Sequence, residues 1–392
     1  MQHDIRRTSK EAFAKLPVLP KNRNAKILHL THSDMDGEGA AMMLAMLPYD
    51  ITVRRLTNNN MSYEIGKVFI QNESKDYDFI IVTDISCSRK VCDIIARHQD
   101  AGKLIILDHH QTSDYLNDYP FGVCQSVILS DSLMTKQYRS YFEKHNQLEK
   151  FETLNLQSSG TSLMMDYMWY QGLLDMVSAE TVKLYSLFAN CIRCYDTWDW
   201  KLCFDDEAYT RLCPILNILY DAYGAEGFKS KMSRNMKDTL DCCVAPDEFG
   251  ESDIMRIDDY FIIQCEETKI KQFVDSMQNY VRTGNLVISD EATSETKYYS
   301  VAYISCNRYL QEVFDMMKNT YPATDIYIIN YGSGLSFRVT REDINIGQLV
   351  TRWNGGGHAG AAGIKIPMKM TDKLICEDVL EHALIFDEKE GD

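Results

Sequence analysis

The sequence predicts an α/β protein built around a doubly wound, mainly parallel sheet. Three short apolar runs, Ala25–Leu30, Asp78–Val82 and Lys103–Leu107, have the length and aliphatic content of buried strands. Helix-like stretches alternate with these runs, which is typical of βαβ units. Each run ends in acidic or imidazole side chains. Because ligands of open α/β sheets gather beyond the carboxyl ends of parallel strands, we expect those side chains to share one rim.

Apolar spacing predicts the other elements of the first 204 residues. Residues 1–24 are expected to form a polar lead-in, and from about residue 134 to 200 the pattern is helical. The predicted elements are a buried helix at Glu38–Leu47, a strand at Ile51–Arg55, and helices at Val91–His98, Thr161–Tyr170 and Ala179–Tyr195.

The rest of the chain predicts a connector and a second, smaller α/β domain. Residues 205–284 keep a helical character and are rich in charge and methionine, and a break is expected near Arg282–Asn285. The predicted domains are therefore 1–204, 205–284 and 285–392. The last of them holds strands at Asn285–Ser289, Tyr298–Ile304, Asp325–Asn330 and Leu335–Thr340, and a helix at Arg308–Lys318.

Composition excludes several classes of protein. The formal net charge of −16 argues against a protein that coats duplex nucleic acid, because such binding needs a basic face. Short nucleotides stay compatible with this charge, since bound metal ions reverse the field locally. The absence of an apolar run of about 18 residues predicts no membrane-spanning helix. The N-terminus lacks an apolar signal core, and the twelve cysteines are dispersed, so we expect reduced thiols in a cytoplasm.

The rim of the predicted sheet collects an unusual density of acids and imidazoles. That many carboxylates cannot share a small site unless cations neutralise them. The simplest interpretation is a pair of hard divalent metal ions. The side chains expected there are His32, Asp34, Asp36, Asp84, Asp108 and His109.

These motifs differ in specificity. In His32-Ser-Asp34-Met-Asp36, alternate residues of an extended loop would point the same way, although solvated turns also use Asp and Gly freely. Asp84 alone is compatible with a turn or a helix cap. Adjacent histidines after a buried strand, as in Asp108-His109-His110, are uncommon, and the carboxylate can fix their tautomers. Asp196 follows a predicted helix, and either it or Asp199 can simply face solvent.

A glycine-rich segment lies near the C-terminus. Gly355–Gly363 holds five glycines and one histidine, and glycine lets backbone N–H groups approach an anion closely. His358 can donate a hydrogen bond to a phosphate, and Arg338 can bind a phosphate through two N–H groups or stack on a base. On glycine content alone, a flexible turn before a strand at Ile364–Ile366 is an equally good interpretation.

Together these residues resemble the DHH phosphoesterase superfamily with its associated DHHA1 domain. The resemblance spans roughly residues 25–200 and 285–367. One departure is that many members place a histidine four residues before the first aspartate, where this chain has Leu30. The shorter spacing of His32 is similar to that of the bacterial nanoRNA-degrading branch. The matching motifs are His32-Ser-Asp34-Met-Asp36-Gly37, Thr83-Asp84, Asp108-His109-His110, Arg193-Cys-Tyr-Asp196, Ser336-Phe-Arg338 and Gly355–Gly363.

The resemblance implies a role for each of these residues. It implies two metal ions, Mn²⁺ or in some members Mg²⁺, bridged by Asp84. His110 would face the substrate phosphate, and Asp108 would support the histidine pair. The implied ligands are His32 and Asp34 for the first ion and Asp36, His109 and Asp196 for the second; the implied contacts to the far end of the substrate are Arg338, Gly355, Gly356, Gly357 and His358.

The implied activity is hydrolysis of short single-stranded RNA to mononucleotides, and also of 3′-phosphoadenosine phosphate. Neither duplex nucleic acid nor a membrane is an expected partner. An alternative is a phosphodiesterase for cyclic or linear dinucleotides. The glycine-rich segment argues against an inorganic pyrophosphatase, and the complete ligand set argues against a silent nucleotide sensor. The sequence leaves the oligomeric state open, including a homodimer.

Overall fold

A computed structural model describes residues 7–21, 24–201, 207–242, 249–290, 295–366, 372–380 and 383–387. The chain forms two compact units, Met1–Ile263 and Gln264–Asp392. None of the described helices is both long enough and apolar enough to cross a membrane.

The first unit contains a five-stranded sheet in which every neighbouring pair is parallel. The strand order is β2-β1-β3-β4-β5, so the chain direction across the sheet reverses between β1 and β3. This confirms the predicted doubly wound sheet and brings the carboxyl ends of β1, β3 and β4 to one edge. The strands are β1 (Lys26–His32), β2 (Asp50–Leu56), β3 (Phe79–Thr83), β4 (Leu104–Asp108) and β5 (Gly122–Cys124).

Helices cover both faces of this sheet. The alternation along β1 sends Ile27 into one hydrophobic cluster and Leu28 into the other. The α-helices up to the unit boundary are α1 (Ser9–Phe13), α2 (Met35–Leu44), α3 (Met61–Ile70), α4 (Arg89–Ile95), α5 (Leu133–Lys144), α6 (Leu148–Thr153), α7 (Gly160–Tyr170), α8 (Ala179–Thr197), α9 (Glu207–Leu240), α10 (Glu251–Ile254) and α11 (Ile257–Met277), which crosses it.

Helix α2 is the most deeply enclosed of these elements. All ten of its residues are buried, and it packs against α7, α8 and α9. Such a helix carries no polar face, which is why its sequence is rich in Ala, Gly and Met rather than amphipathic. The first turn of α2 follows the end of β1 directly, so this packing also fixes the rim.

The N-terminal segment corrects one expectation. The predicted polar lead-in of residues 1–24 is wrong over its described part, which forms α1 and joins the core. Phe13, Leu16 and Leu19 are at most 4% exposed, and the Phe13 ring meets that of Tyr167 edge to face at 5.7 Å. The sequence did not predict this packing, because the apolar residues of the segment are scattered between charged ones and find their partners only in the tertiary structure.

The segment predicted as a helical connector is helical through α9, α10 and α11. Gly224 interrupts α9 with a non-helical backbone conformation. Leu216 and Phe228 of α9 are buried in the core of the first unit, so part of this segment packs with the sheet and its helices. The predicted domain limits at 204/205 and 284/285 stay a prediction.

The second unit contains a mixed seven-stranded sheet in the order β10-β11-β9-β8-β7-β6-β12. Only β7 and β8 pair in parallel. The helical pattern ends just before Arg282, where a break was expected, and β6 begins at that residue, three residues before the predicted strand. The strands are β6 (Arg282–Asp290), β7 (Glu295–Ser305), β8 (Ile326–Asn330), β9 (Gly334–Val339), β10 (Gly356–Gly357), β11 (Ala361–Lys365) and β12 (Leu384–Phe386), and the helices are α12 (Leu310–Thr320), α13 (Ile346–Leu349) and α14 (Asp372–Leu374).

Candidate metal centre

The turn from β1 into α2 presents three of the predicted side chains. His32 is the last residue of β1, and Asp34 caps α2 by accepting a hydrogen bond from the Gly37 amide at 2.9 Å. Asp36 lies in the first turn of the helix. The extended loop that we expected here is therefore wrong, because the helix begins at Met35. A Cβ on Gly37 would overlap the His32 carbonyl oxygen, so the turn requires glycine.

His32, Asp34 and Asp84 form a first group of ligand atoms. His32 Nδ1 lies 2.5 Å from Asp34 Oδ2 and 3.6 Å from Asp84 Oδ2. One nitrogen or oxygen of each residue lies within 4.8 Å of the others, which is a spacing that a single cation can span. His32 and Asp34 keep some solvent exposure, whereas Asp84 is buried.

Asp36, His109 and Asp196 form a second group with the same spacing. His109 Nε2 lies 3.8 Å from Asp36 Oδ2 and 3.7 Å from Asp196 Oδ2. The three residues come from α2, from the segment after β4, and from the last turn of α8. Asp196 was expected after that helix, but α8 continues to Thr197.

Asp84 joins the two groups. Its Oδ1 lies 3.0 Å from His109 Nε2 in the second group, while its Oδ2 faces His32 in the first. Oδ2 is buried and has no hydrogen-bond donor among the described residues. The backbone of Asp84 is left-handed, with φ 61°, which is strained for a non-glycine residue and typical of functional sites.

Asp36 is held by a helix that the sequence did not identify as part of the site. The amides of Gly160 and Thr161, at the N-terminus of α7, donate to its carboxylate at 2.5 and 3.0 Å. A helix N-terminus stabilises a carboxylate in this position. The Ser159-Gly160 start of α7 carried only a capping signal in the sequence, so the contact with Asp36 was not predictable from it.

Asp108 orients the histidine pair. Its Oδ1 accepts hydrogen bonds from the backbone amides of His109 and His110, at 2.8 and 3.1 Å, and faces His110 Nδ1 at 2.8 Å. Burial opposes ionisation of Asp108, yet the neighbouring imidazoles outweigh it and hold the pKa of that carboxyl well below its ordinary value.

The crowding of charge shifts the ionisation of the other groups. Burial and the nearby carboxylates of Asp34 and Asp36 raise the pKa of Asp84 well above its ordinary value. Burial and Asp36 likewise raise the pKa of Asp196 to about 7. Burial alone would lower the pKa of His32, but the adjacent Asp34 outweighs it and raises that pKa to about 11. The site therefore retains protons around neutral pH unless other cations replace them.

Asp199 does not face solvent, as one interpretation of the sequence allowed. It forms a buried ion pair with Arg193, whose guanidinium also donates to the Gln157 carbonyl at 2.5 Å and to the Tyr138 hydroxyl at 2.7 Å. Arg193 lies one helical turn before Asp196. This network therefore fixes the end of α8 that carries Asp196.

The predicted substrate contacts lie in the second unit. Gly356 and Gly357 form the short strand β10, which pairs antiparallel with β11, so the glycine-rich segment contributes to two strands of the sheet and to the turn between them. Arg338 lies on β9 and pairs in register with Ala361 of β11. Its guanidinium donates to the Ser336 hydroxyl at 2.7 Å. Gly355 and His358 flank β10.

Part of the second unit is similar to a known domain family. The model of the DHHA1 domain matches residues 298–384. Over 354 residues the chain is 23% identical to the oligoribonuclease NrnB of Bacillus subtilis (strain 168), an alignment that covers 88% of this chain and 74% of the relative.

Two solved structures match more than 90% of this chain. One is RecJ from Thermus thermophilus in complex with Mn²⁺, with a TM-score of 0.45, 11% identity, and coverage of 93% of this chain and 52% of that chain. The other is the pGpG-specific phosphodiesterase PggH from Vibrio cholerae, with a TM-score of 0.41, 13% identity, and coverage of 91% of this chain and 100% of that chain.

Proposed function

We propose that the chain is a member of the DHH/DHHA1 phosphoesterase superfamily, which the DHHA1 match and the similarity to NrnB support, and that it is a two-metal phosphodiesterase that hydrolyses short RNA oligonucleotides to mononucleotides. The observation that most supports this proposal is the position of Asp84, whose two oxygens face two separate groups of ligand atoms. Mn²⁺ is the ion that we expect, with Mg²⁺ as the alternative.

The residues fit such a pair of ions. Carboxylate and imidazole donors suit Mn²⁺, and four carboxylates in so small a volume need compensating positive charge. The buried Oδ2 of Asp84, which lacks a donor among the described residues, has the chemistry of an oxygen left for a cation. We propose that His32 and Asp34 hold one ion, that Asp36, His109 and Asp196 hold the other, and that Asp84 contacts both.

Ions bound there would lower the pKa of a coordinated water and offset charge on the phosphoryl oxygens. The chain itself orients the reacting groups. Asp108 fixes Nδ1 of His110, so His110 Nε2 is the nitrogen that we expect to face a substrate phosphate. The α7 amides hold Asp36 in one orientation, which removes the entropy cost of ordering that ligand during binding.

Short RNA is the substrate that we propose, because NrnB, the curated relative, carries the name of an oligoribonuclease. The formal net charge of −16 fits a small substrate better than a long polyanion. Arg338 and His358 are proposed to bind the phosphate or base farthest from the cleaved bond. The backbone amides of Gly355, Gly356 and Gly357 are proposed to assist them.

A substrate panel in the presence of Mn²⁺ tests this function. The panel contains RNA of two to ten nucleotides, 3′-phosphoadenosine phosphate, cyclic and linear dinucleotides, and pyrophosphate. We expect the fastest turnover on RNA of two to five nucleotides. Preference for pyrophosphate would overturn the proposal, and preference for a cyclic dinucleotide would replace the substrate while keeping the reaction class.

A pair of variants completes the test. Asp84→Asn keeps a residue that tolerates the left-handed backbone but removes the charge, so it should be inactive on every substrate while staying folded. The control is Asp50→Asn, at an exposed aspartate that begins β2, which should keep full activity. An active Asp84→Asn enzyme would contradict the two-metal mechanism.

A further inference from the structure

A buried row of polar side chains lies beneath the candidate metal centre. His29 and Thr31 occupy alternate positions of β1 and so point to the same face of the sheet. Thr83, the last residue of β3, is the in-register partner of Thr31. All three residues are fully buried, and none of them belongs to the proposed ligand set. Polar groups in such a position need hydrogen-bond partners.

The three side chains form a continuous hydrogen-bonded chain. His29 Nε2 lies 2.8 Å from the Thr83 hydroxyl, which lies 2.8 Å from the Thr31 hydroxyl. The Thr31 hydroxyl lies 2.9 Å from the carbonyl oxygen of Gly37, in the first turn of α2, and 3.3 Å from the Thr83 carbonyl. The chain therefore runs from the middle of β1, across β3, to the start of α2.

The number of available protons decides which group is the donor in each of these hydrogen bonds. The three short contacts need three protons, and each threonine hydroxyl has only one to give. Thr31 must donate to Gly37, because a carbonyl oxygen only accepts. Thr83 must then donate to Thr31, and His29 must donate to Thr83. Only the His29 tautomer with its proton on Nε2 supplies a proton to every contact.

The other nitrogen of His29 agrees with this tautomer. Nδ1 has no hydrogen-bond partner among the described residues. In the opposite tautomer Nδ1 would be a buried N–H without an acceptor, which is rarer than an unmatched acceptor. Burial, with smaller contributions from Lys229 and Arg55, lowers the pKa of His29 to about 3, so the ring is neutral at physiological pH.

We propose that His29 is a positioning residue of the metal centre, which acts by donating through Thr83 and Thr31 to the Gly37 carbonyl. Thr83 immediately precedes Asp84, and Gly37 donates its amide to Asp34. The hydrogen bonds therefore link the end of β3, which carries Asp84, to the start of α2, which holds Asp34, and these are the two segments whose ligands must meet. Asp84 has a strained backbone that persists only where its surroundings hold it, which gives this restraint a function.

This inference rests on the proposed metal centre, and two measurements on the full chain test it. The first is long-range ¹H–¹⁵N correlation NMR of protein labelled with ¹⁵N-histidine, with His29 assigned by comparison with His29→Gln. We expect a neutral ring with the proton on Nε2. A proton on Nδ1 would overturn the inference, because Thr83 would then have no donor.

The second measurement is titration with Mn²⁺, followed by the electron paramagnetic resonance signal of the free ion. His29→Leu removes the donor and should weaken Mn²⁺ binding by about tenfold, as loss of a hydrogen bond behind a metal ligand typically does. His29→Gln keeps an N–H donor of similar reach and should bind within about twofold of the wild type. Thermal melts check that both variants are folded.

A second pair of variants keeps the test valid if His29→Leu does not fold. Thr31→Val removes the hydroxyl that donates to the Gly37 carbonyl and should weaken Mn²⁺ binding, whereas Thr31→Ser should not. If the chain acts as a unit, the double variant His29→Leu/Thr31→Val should lose little more than either single variant. If the losses of Mn²⁺ binding free energy in the two single variants simply add in the double variant, the two changes act as unrelated packing defects, and the inference is wrong.

The outcomes separate this inference from the proposed function. If the wild-type protein binds no Mn²⁺, both the proposed metal centre and the positioning function of His29 are wrong. The His29 tautomer would still decide the direction of the hydrogen bonds. A wild type that binds Mn²⁺ as tightly as a folded His29→Leu variant would overturn the positioning function alone.

Discussion

A Cβ placed on Gly160 would lie 2.5 Å from the Cβ of Asp84 and 3.0 Å from Oδ2 of Asp36. The N-terminus of α7 therefore approaches the junction of the two ligand groups as closely as a backbone can. Only glycine fits at this point, because any side chain would displace one of the two aspartates or the helix.

Gly160→Ala should consequently damage the metal centre more than the fold. A displacement of a few tenths of an ångström or more in Asp84 and Asp36 is expected to lower kcat/KM by about a hundredfold, since small misplacements of reacting groups are costly. Steady-state kinetics with a dinucleotide substrate measure this effect. Gly102→Ala is the matched control, because a Cβ there meets nothing within 4 Å. Equal kinetics for the two variants would contradict the close approach.

Asp84→Asn should stabilise the protein in the presence of a chelator. Burial and two neighbouring carboxylates disfavour the charge on Asp84, so removing it relieves a cost of folding. We expect Tm to rise by roughly 1–2 °C, the effect of about 1 kcal/mol in a chain of 392 residues. Scanning calorimetry with and without EDTA measures it.

Added Mn²⁺ should reverse that order. At a concentration of about 100 times Kd, a bound ion stabilises the wild type by about 2.7 kcal/mol. The variant has lost one carboxylate oxygen and the negative charge of Asp84, so it should gain much less. An equal rise of Tm in the wild type and in Asp84→Asn would show that Mn²⁺ binds elsewhere.

Asp199→Asn should destabilise the protein through Arg193. It leaves a fully buried guanidinium without its carboxylate, and breaking such a pair typically costs about 3–5 kcal/mol. Urea unfolding of the metal-free protein measures the loss. Asp118→Asn, which breaks an exposed pair with Arg89, should cost less than about 1 kcal/mol. A near-neutral Asp199→Asn variant would show that the buried pair has no net stabilising effect.

We expect Asp166 to make the free energy of unfolding depend on pH. It is buried beside the N-terminus of α5, where its Oδ1 accepts from the Met134 amide at 3.4 Å, and burial raises its pKa to about 7. The folded state then binds more protons than the unfolded state between about pH 4 and pH 7. Stability should therefore fall as pH rises through this window and level off above it.

Asp166→Asn should remove that component. The variant is expected to match the wild type near pH 4 and to exceed its free energy of unfolding by about 2–4 kcal/mol at pH 8. Urea unfolding at several pH values, with EDTA present, gives both profiles. Parallel curves for the two proteins would mean that Asp166 is not the group responsible.

Arg338→Gln should separate substrate binding from the metal centre. If Arg338 holds a phosphate of the substrate, its loss should raise KM about tenfold or more while Mn²⁺ affinity is unchanged. Arg338→Lys, which keeps the charge but loses the planar fork, should fall between. Kinetics on dinucleotides and a Mn²⁺ titration test both parts. A loss of kcat with constant KM would instead place Arg338 among the groups that act in the transition state.

Local sequence was enough to predict the elements that carry the rim. Continuous aliphatic runs identified β3 and β4. Carboxylates at the ends of buried strands are costly unless they share a site with cations, so the acids that follow these runs predicted a common site. Alternation of strands and helices predicted the parallel sheet, whose right-handed crossovers leave few other arrangements. The short elements α1, β5 and β12 were not predicted, because their apolar residues are too few to show a period.

The amino-acid sequence by itself predicted which groups can bind metal, because the acids and imidazoles at the ends of β1, β3 and β4 can each be identified from the short segment in which they lie. Tertiary structure brings their ligand atoms together in two groups, and this is the division that the family resemblance implied: His32 and Asp34 on one side of Asp84, and Asp36, His109 and Asp196 on the other. It also supplied the supports, the α7 amides on Asp36 and the hydroxyl chain from His29. The physical reason is that the supporting hydrogen bonds join segments up to 125 residues apart, and no local pattern records which backbone amide or hydroxyl will lie beside a given carboxylate.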